Sequence, residues 1–465
     1  MLTLKINPHT KVDTSKKGTL SLSSTIRHGG RELVLKDPSR MILTCLKKLQ
    51  QEGSEEQALS DLALKQGDLT SFYYFLNLLK RNNLLSYALL HKNKPLLTLH
   101  PLSSRLQIEE RSLAPTQKIQ LSKFAFLRPS AKNLILETPL APVECEIHSQ
   151  EILAVLHQLT NPKSLKEIRS PIPRSLVEKL CTLLLEAKIL VPAKSEEKDP
   201  LALQWEFHDL LFHTRTRLGR HNNPYGGLFP FTKEISPLPA CKPPMSKRRT
   251  PLFKPDIEKL KREDRSFTHV IEERRSKREH GNNPLTLKQL GEFLFRTARM
   301  KEHLIYPKGE THGAELSRRP YPGGGAVYEL ELYLVIYKCQ GLEKGIYHYH
   351  PREHTLYQLE AEQKNIDALL RDSMHSSGKK DFPQVFFIIT SRFQRMSWKY
   401  RSMAYAATLK TTGVLLQTMY LVATAMDLAP CAIGGGDSDL FSEAIGTSYL
   451  EETSVGEFML GSREQ

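Results

Sequence analysis

Four stretches in the C-terminal part of this 465-residue chain combine residue types able to hold or transform a small molecule. Arg274-Arg275-Ser276-Lys277-Arg278 sets guanidinium forks and a hydroxyl close enough together to grip a phosphate from two sides, although a solvated helix face has the same look. Arg319-Pro320-Tyr321-Pro322-Gly323-Gly324-Gly325 ends in consecutive glycines. Without β-carbons their N–H groups can approach a flat ring or a phosphate; the plain alternative is an ordinary turn. Neither GxGxxG nor GxxxxGK[ST] fits, and the glycines precede a strand instead of opening a helix, so no dinucleotide fingerprint or P-loop is supported. Trp398-Lys399-Tyr400 puts an ammonium beside a phenol, and nearby positive charge favours the phenolate, which makes Tyr400 a base and Lys399 its activator. Cys431-Ala432-Ile433-Gly434-Gly435-Gly436-Asp437 offers a second bare backbone edge for a planar ligand.

Holding these groups together calls for an α+β domain. The spacing predicts a helix over 269–278 that closes on the arginine run, and another from about Thr286 with Leu287, Leu290, Phe293 and Leu294 on one face. A strand from Tyr328 to Tyr337 alternates Leu330, Leu332, Leu334 and Ile336 onto one side. A hairpin near Tyr347-His348-Tyr349, an apolar strand over 385–389 and a long helix carrying Gly413 and Gln417 and ending near Met426 complete a mixed sheet flanked by helices. The uncharged run Thr411 to Met426 is shorter than the ~20 residues of a membrane span and reads as a buried helix.

Upstream, an order of strand, helices and β-wing occurs twice. Ile42 and Ile152 open equivalent helices, and Leu84 and Ile189 open equivalent wings, at nearly constant separation. The expected division is a first winged-helix module over 1–100, a second, peptide-recognition-like one over 101–197, a Pro-rich connector over 198–265 and a catalytic domain over 266–465. Seven prolines between Pro230 and Pro255 keep regular structure out of that connector.

Composition narrows the class. Six scattered cysteines (Cys45, Cys145, Cys181, Cys241, Cys339, Cys431) form no CxxC pair, and the amino end has no apolar signal-peptide core, so a reducing cytoplasm is expected. The net charge of +15 raises nucleic acid as a partner, but basic and acidic residues interleave along the chain, and a solvated basic surface is the plainer account. His348, His350 and His354 suggest a metal only superficially: no matching Cys or carboxylate cluster accompanies them, and they are expected on a hairpin surface. His208 and His213 are five apart, neither helical pairing distance. No metal is assigned.

Taken in order, the four stretches resemble the nitroreductase-like flavoproteins, and among them the SagB-type azoline dehydrogenases that oxidise thiazolines and oxazolines in ribosomal peptides. The likeness runs from about Phe267 to the end, through RRSxR, R-x-Y-P-x-G-G with the strand Glu329-Leu330-Glu331-Leu332-Tyr333, WKY, the helix with Gly413 and Gln417, and the IGG close. Gly323 stands where that family often has serine. Phe124-Ala125-Phe126-Leu127-Arg128 with Leu136-Glu137-Thr138-Pro139-Leu140 is similar to the peptide-recognition region fused to such enzymes, and Trp205 to Gly227 is similar to the cyanobactin thiazoline oxidases.

The resemblance implies FMN at a homodimer interface, with Arg274, Arg275, Ser276 and Arg278 on its phosphate and ribityl chain. Pro322, Gly323, Gly324 and Gly325 and the backbone of Ile433, Gly434 and Gly435 would line the ring, with Gln417 also in the site. Tyr400, activated by Lys399, would remove the α-proton of an azoline in a precursor peptide, with flavin as hydride acceptor and dioxygen reoxidising it.

Two other classes compete. An NAD(P)H-dependent nitroreductase or quinone reductase would have no use for the N-terminal repeat. A winged-helix DNA-binding protein would account for the charge, but the expected recognition helices at 71–81 and 174–186 are mainly apolar. No nucleic-acid or membrane partner is expected.

Overall fold

The computed structural model describes residues 1–15, 18–24, 32–103, 106, 108, 113–130, 133–306 and 313–464. They fall into two compact units, Met1–Asn223 and Pro224–Gln465.

In the first unit, Ser39 caps the helix Arg40–Gln51 and Asp68 caps Leu69–Arg81, each side chain accepting from a backbone N–H in the first turn. Met41, Cys45 and Leu49 in one helix and Phe72, Phe75, Leu76 and Leu79 in the other recur at helical spacing and turn inward. Asn83 takes a left-handed φ of +54°, and the hairpin Leu85–His91 and Lys94–Pro101 follows. Its second strand pairs with Val143–Ile147, so a six-stranded sheet runs across the expected boundary near residue 100. Leu46, Phe75, Leu99, Cys145, Leu156 and Leu180 belong to one core. In the second half the helices Gln150–Gln158 and Arg174–Glu186 accompany a three-stranded sheet of Lys163–Ser164, Lys118–Leu121 and Leu190–Pro192, and a single short strand follows the second helix where the first half has a hairpin. The connector is divided: its first part carries the helices Pro200–Gln204 and Phe207–Arg215, while the proline-dense stretch belongs to the second unit.

The second unit is built on seven strands in the order Arg249–Pro251, Thr355–Leu359, Gly345–His350, Leu330–Ile336, Val385–Arg392, Glu452–Ser462, Leu428–Ile433. The α+β layering is as expected, but every ladder of this sheet is antiparallel where mixed directions were expected. Leu330, Leu332, Leu334 and Ile336 pack on one face with Phe293 of Leu287–Ala298 and Met419 of Ala404–Ala425. Tyr333 and Val335 pack on the other with Leu370 of Gln363–Ser377 and Phe441 of Ser438–Ile445. Helices on both faces explain why the central strands read as nearly unbroken apolar runs; each buried Leu or Phe contributes about 1.5–3 kcal/mol by leaving water.

One helix is shorter than expected. It spans Phe267–Glu273, and Arg274 at its end is already extended at φ −60°, ψ 118°. The reason is tertiary: the Lys277 N–H donates to the Pro430 carbonyl at 2.7 Å, which draws the arginine run alongside the strand Leu428–Ile433. No helix among the described residues is long and apolar enough to cross a membrane.

Candidate active site

Lys399 ends the helix Phe393–Lys399, and Tyr400 opens the two-residue strand Tyr400–Arg401. The helix is pinned by Trp398, whose Nε1 donates to the Ile235 carbonyl at 2.7 Å. Lys399 is 8% exposed, unusual for a lysine, and its charge is satisfied locally. Nζ donates to the Tyr306 hydroxyl at 2.8 Å and to the Gly325 carbonyl at 3.0 Å. The rings of Tyr306, Tyr400 and Phe229 surround it with centroids 5.2, 5.4 and 5.6 Å away, within cation–π range.

Gly325 has a φ of +59°, and a β-carbon there would strike both the Tyr400 hydroxyl and Lys399 Nζ. The absent side chain therefore lets the two reactive groups reach the loop backbone. Gly324 lies against Met396 and Ala407, and Gly323 against the Tyr328 ring, whose hydroxyl donates to the Tyr321 carbonyl at 2.8 Å. Pro322 is exposed, and the three glycines that follow it each lie against a named neighbour, the last of them against the pair Lys399 and Tyr400.

Three members of this cluster are not legible from motifs. Gly226–Gly227 pairs antiparallel with Tyr400–Arg401, and the N–H groups of Leu228 and Phe229 donate to the Lys399 carbonyl at 3.0 and 3.1 Å. The start of the proline-dense stretch is therefore part of the site, and so are Phe229 and Tyr306. The Gly226-Gly227 pair was the available signal: Gly226 takes a φ of +102° that favours glycine, and a β-carbon on Gly227 would stand in ordinary contact, 3.5 Å, with the Tyr400 ring.

The second cluster gathers on the strand Leu428–Ile433. Ser276 Oγ and Tyr420 Oη are 2.7 Å apart, and the Tyr420 oxygen also accepts from the Ala432 N–H at 2.8 Å. Arg274 lies over the Tyr420 ring at 5.4 Å. Burial pushes the Cys431 thiol up, partly offset by the charge of Arg278 nearby. Arg275 pairs with Glu273 at 3.3 Å, whereas among the described residues no carboxylate pairs with Arg274 or Arg278. Beyond Ile433, β-carbons placed on Gly434 or Gly435 would meet nothing within 4 Å. One placed on Gly436 would collide with the Glu457 carboxyl, which burial, aided by the Asp372 carboxylate, pushes up to about 7. Gln417 is exposed on Ala404–Ala425 and contacts neither cluster within this unit.

This second edge fits a flavin mononucleotide: an open glycine backbone suits a flat ring, and the adjacent arginines and serine hydroxyl suit a phosphate. The three histidines are a correction. His348, His350 and His354 are buried, not on a hairpin surface: the first two lie on the strand Gly345–His350, interior to the sheet, and His354, in the turn that follows, has Nε2 2.9 Å from the Phe253 carbonyl. His348 Nε2 lies 3.0 Å from Glu331, and Arg392 pairs with the same carboxyl at 3.3 Å. Burial would raise Glu331, but the His348 hydrogen bond, with Arg392 and Arg319, holds it down at about 2. Among the described residues no group of three possible metal ligands comes together.

Comparison with known proteins follows the same division. Residues 119–222 match the cyanobactin oxidase ThcOx family, and residues 271–462 match the nitroreductase family. The second unit is nitroreductase-like. A nitroreductase-named protein of Methanocaldococcus jannaschii is 28% identical over 183 residues, covering 39% of this chain and 81% of its own. The trifolitoxin-processing protein TfxB of Rhizobium leguminosarum bv. trifolii is 36% identical over 86 residues, 18% of this chain and 23% of its own. The microcin B17-processing protein McbC of Escherichia coli is 32% identical over 117 residues, 24% of this chain and 42% of its own. The matches to the two peptide-processing proteins thus span less than half of their lengths. Together these matches bear out the resemblance to SagB-type, cyanobactin-oxidase-like oxidoreductases of peptide processing.

Proposed function

We propose that the chain is an FMN-dependent azoline oxidase, converting thiazoline or oxazoline rings of a ribosomally made, cyanobactin-like precursor peptide to thiazoles or oxazoles. The observation that carries this reading is the meeting of Lys399 and Tyr400 at Gly325. An azoline α-proton is acidic because the electron pair left behind delocalises into the carbonyl and the ring C=N, so a positioned base suffices to remove it. Tyr400 takes that proton at its phenol oxygen. Lys399 holds its ammonium beside it, 5.4 Å from the centroid of the Tyr400 ring. Arg274, Arg275, Ser276 and Arg278 hold the phosphate end of FMN, with Pro322 to Gly325, Gln417, Ile433, Gly434 and Gly435 around its ring. Bound FMN supplies the two-electron acceptor, and dioxygen is the terminal oxidant.

A homodimer would bring Gln417 and the exposed Tyr405 and Leu409 of the same helix against a second copy. The two winged-helix-like halves of the first unit would recognise the precursor peptide. Cytoplasmic residence and the absence of a metal, nucleic-acid or membrane requirement complete the proposal.

The deciding experiment has two readouts on the purified protein. A flavin absorbance spectrum with FMN identified after release is expected, and so is loss of two hydrogens per ring when an azoline peptide is incubated in air. Flavin with no azole formation, but with NAD(P)H oxidation, would favour a nitroreductase instead.

A further inference from the structure

Tyr306 neither takes the proton nor holds the flavin, yet it is the nearer of the two hydrogen-bond partners of Lys399 Nζ. It follows the strand Glu302–Ile305, and its N–H donates to the Ala314 carbonyl at 3.0 Å, which continues the pairing of that strand with Glu315–Arg318. Its hydroxyl accepts from Lys399 Nζ at 2.8 Å, and a second donor of the ammonium goes to the Gly325 carbonyl at 3.0 Å. An ammonium has three donors, and among the described residues two of them are taken. The Tyr306 ring meets Phe229 edge-on at 6.0 Å, and Phe229 is tied through its N–H to the Lys399 carbonyl. Lys399 is thereby held by segments near residues 229, 306 and 325, far apart in sequence.

We propose that Tyr306 is a positioning residue: its hydroxyl fixes the Lys399 ammonium so that the remaining N–H and the positive charge are directed at Tyr400 and the substrate. This rests on Lys399 and Tyr400 acting as the reacting pair. A lysine stem is flexible and its ammonium is a compact point charge, so the site needs an oriented acceptor to keep it in one place. The phenol oxygen of Tyr306 provides one without a competing negative charge, which a carboxylate would bring and which would cancel the field felt by Tyr400.

Tyr306→Phe deletes the oxygen and keeps the ring, its contact with Phe229 and its cation–π face. The expected result is unchanged flavin per chain and thermal midpoint, with kcat for azole formation down about tenfold, the scale of a hydrogen bond to a charged group, and KM unchanged. Independently of any substrate, acylation of Lys399 by an amine-selective ester, followed by peptide mass spectrometry, is expected to be several-fold faster. Phe229→Leu, which removes packing but leaves the hydroxyl, is expected to alter labelling less. Tyr306→His, which keeps a ring acceptor, is expected to restore slow labelling in part, and it decides the matter should the Phe variant misfold. Parent-rate labelling and parent kcat in Tyr306→Phe, or a His variant labelled as fast as the Phe variant, would overturn the proposal. If the parent makes no azole, the assigned reaction fails, while the labelling series still tests the hold on Lys399.

Discussion

The two glycine runs of the second unit look alike in sequence and differ in space. Around Gly325 the missing side chain is replaced by the protein's own reactive groups, Tyr400 and Lys399. Around Gly434 and Gly435 it is replaced by nothing. The first run is bare so that the chain can approach itself; the second is bare and remains open, the form expected of a ligand edge. Its limit is set by Gly436, where Glu457 closes in. Under this division, changes at the first run should disturb chemistry and folding, and changes at the second should disturb ligand retention.

The largest effect is expected from Tyr400→Phe, which keeps the ring but removes the base. Azole formation per bound flavin should fall by about two to four orders of magnitude while flavin stays bound. Lys399→Ala should cost less. If both variants instead lost flavin and thermal stability with activity per flavin unchanged, Trp398-Lys399-Tyr400 would be an anchor for the long helix and the comparison would fail.

Next in size is a pH effect at the closed end of the open run. Glu457 titrates near 7 in the fold against an ordinary value of 4.5, so the folded state keeps a proton that the unfolded chain loses first. The stability this contributes is complete below about pH 4.5 and is lost as pH rises to about 7, amounting to at most about 3 kcal/mol. Urea midpoints across that window should fall for the parent, other titrations aside, and Glu457→Gln should flatten the decline. His280 works in the opposite direction: burial lowers it to about 4, so its contribution is present above about pH 6.5 and is lost as pH falls toward 4.

Gly325→Ala should destabilise by about 1–3 kcal/mol, because a left-handed φ and a blocked approach combine. Calorimetry checks the first effect and the rate of azole formation the second. Arg278→Ala should weaken FMN about tenfold, the scale of a lost charge-assisted hydrogen bond, with an unchanged melting profile of the flavin-free protein. Equal flavin content in mutant and parent after dialysis would remove Arg278 from the site.

Smallest in stability is Gly434→Ala. Gly434 is not in the left-handed region and its β-carbon would meet open space, so unfolding should shift by no more than about 0.5 kcal/mol. Weaker FMN binding at unchanged stability would sharpen the contrast between the runs, and unchanged FMN binding would argue that no ligand lies on this edge.

Much of the layering was legible. The apolar stripe Leu290, Phe293, Leu294 and the alternation Leu330, Leu332, Leu334, Ile336 follow from the 3.6 and 2 periodicities that tie side-chain direction to backbone, and both face the same core. The capping box of Thr286 and Gln289 likewise marks the start of the helix Leu287–Ala298. Other features were misread for a definite reason. Arg274 to Arg278 has helical composition, yet the helix ends at Glu273 and Arg274 is extended, because the Pro430 carbonyl takes the Lys277 N–H. His348 looked like a surface residue because its partner, Glu331, is paired through strand register rather than local spacing.

What the sequence alone determined is local: the apolar periodicity of stretches such as 290–294 and 330–336, where the glycines fall, and that Lys399 is followed by Tyr400. The tertiary structure decided which side chains meet. Tyr306 and Phe229 reach Lys399 only because one hairpin and one two-residue strand fold onto it, and Gly325 and Gly434 part company only when neighbours distant in the chain fill one space and leave the other. Contacts between residues about a hundred positions apart leave no periodicity in a single chain, because the direction of a side chain is fixed by its own backbone and its partner is fixed by the packing of whole elements.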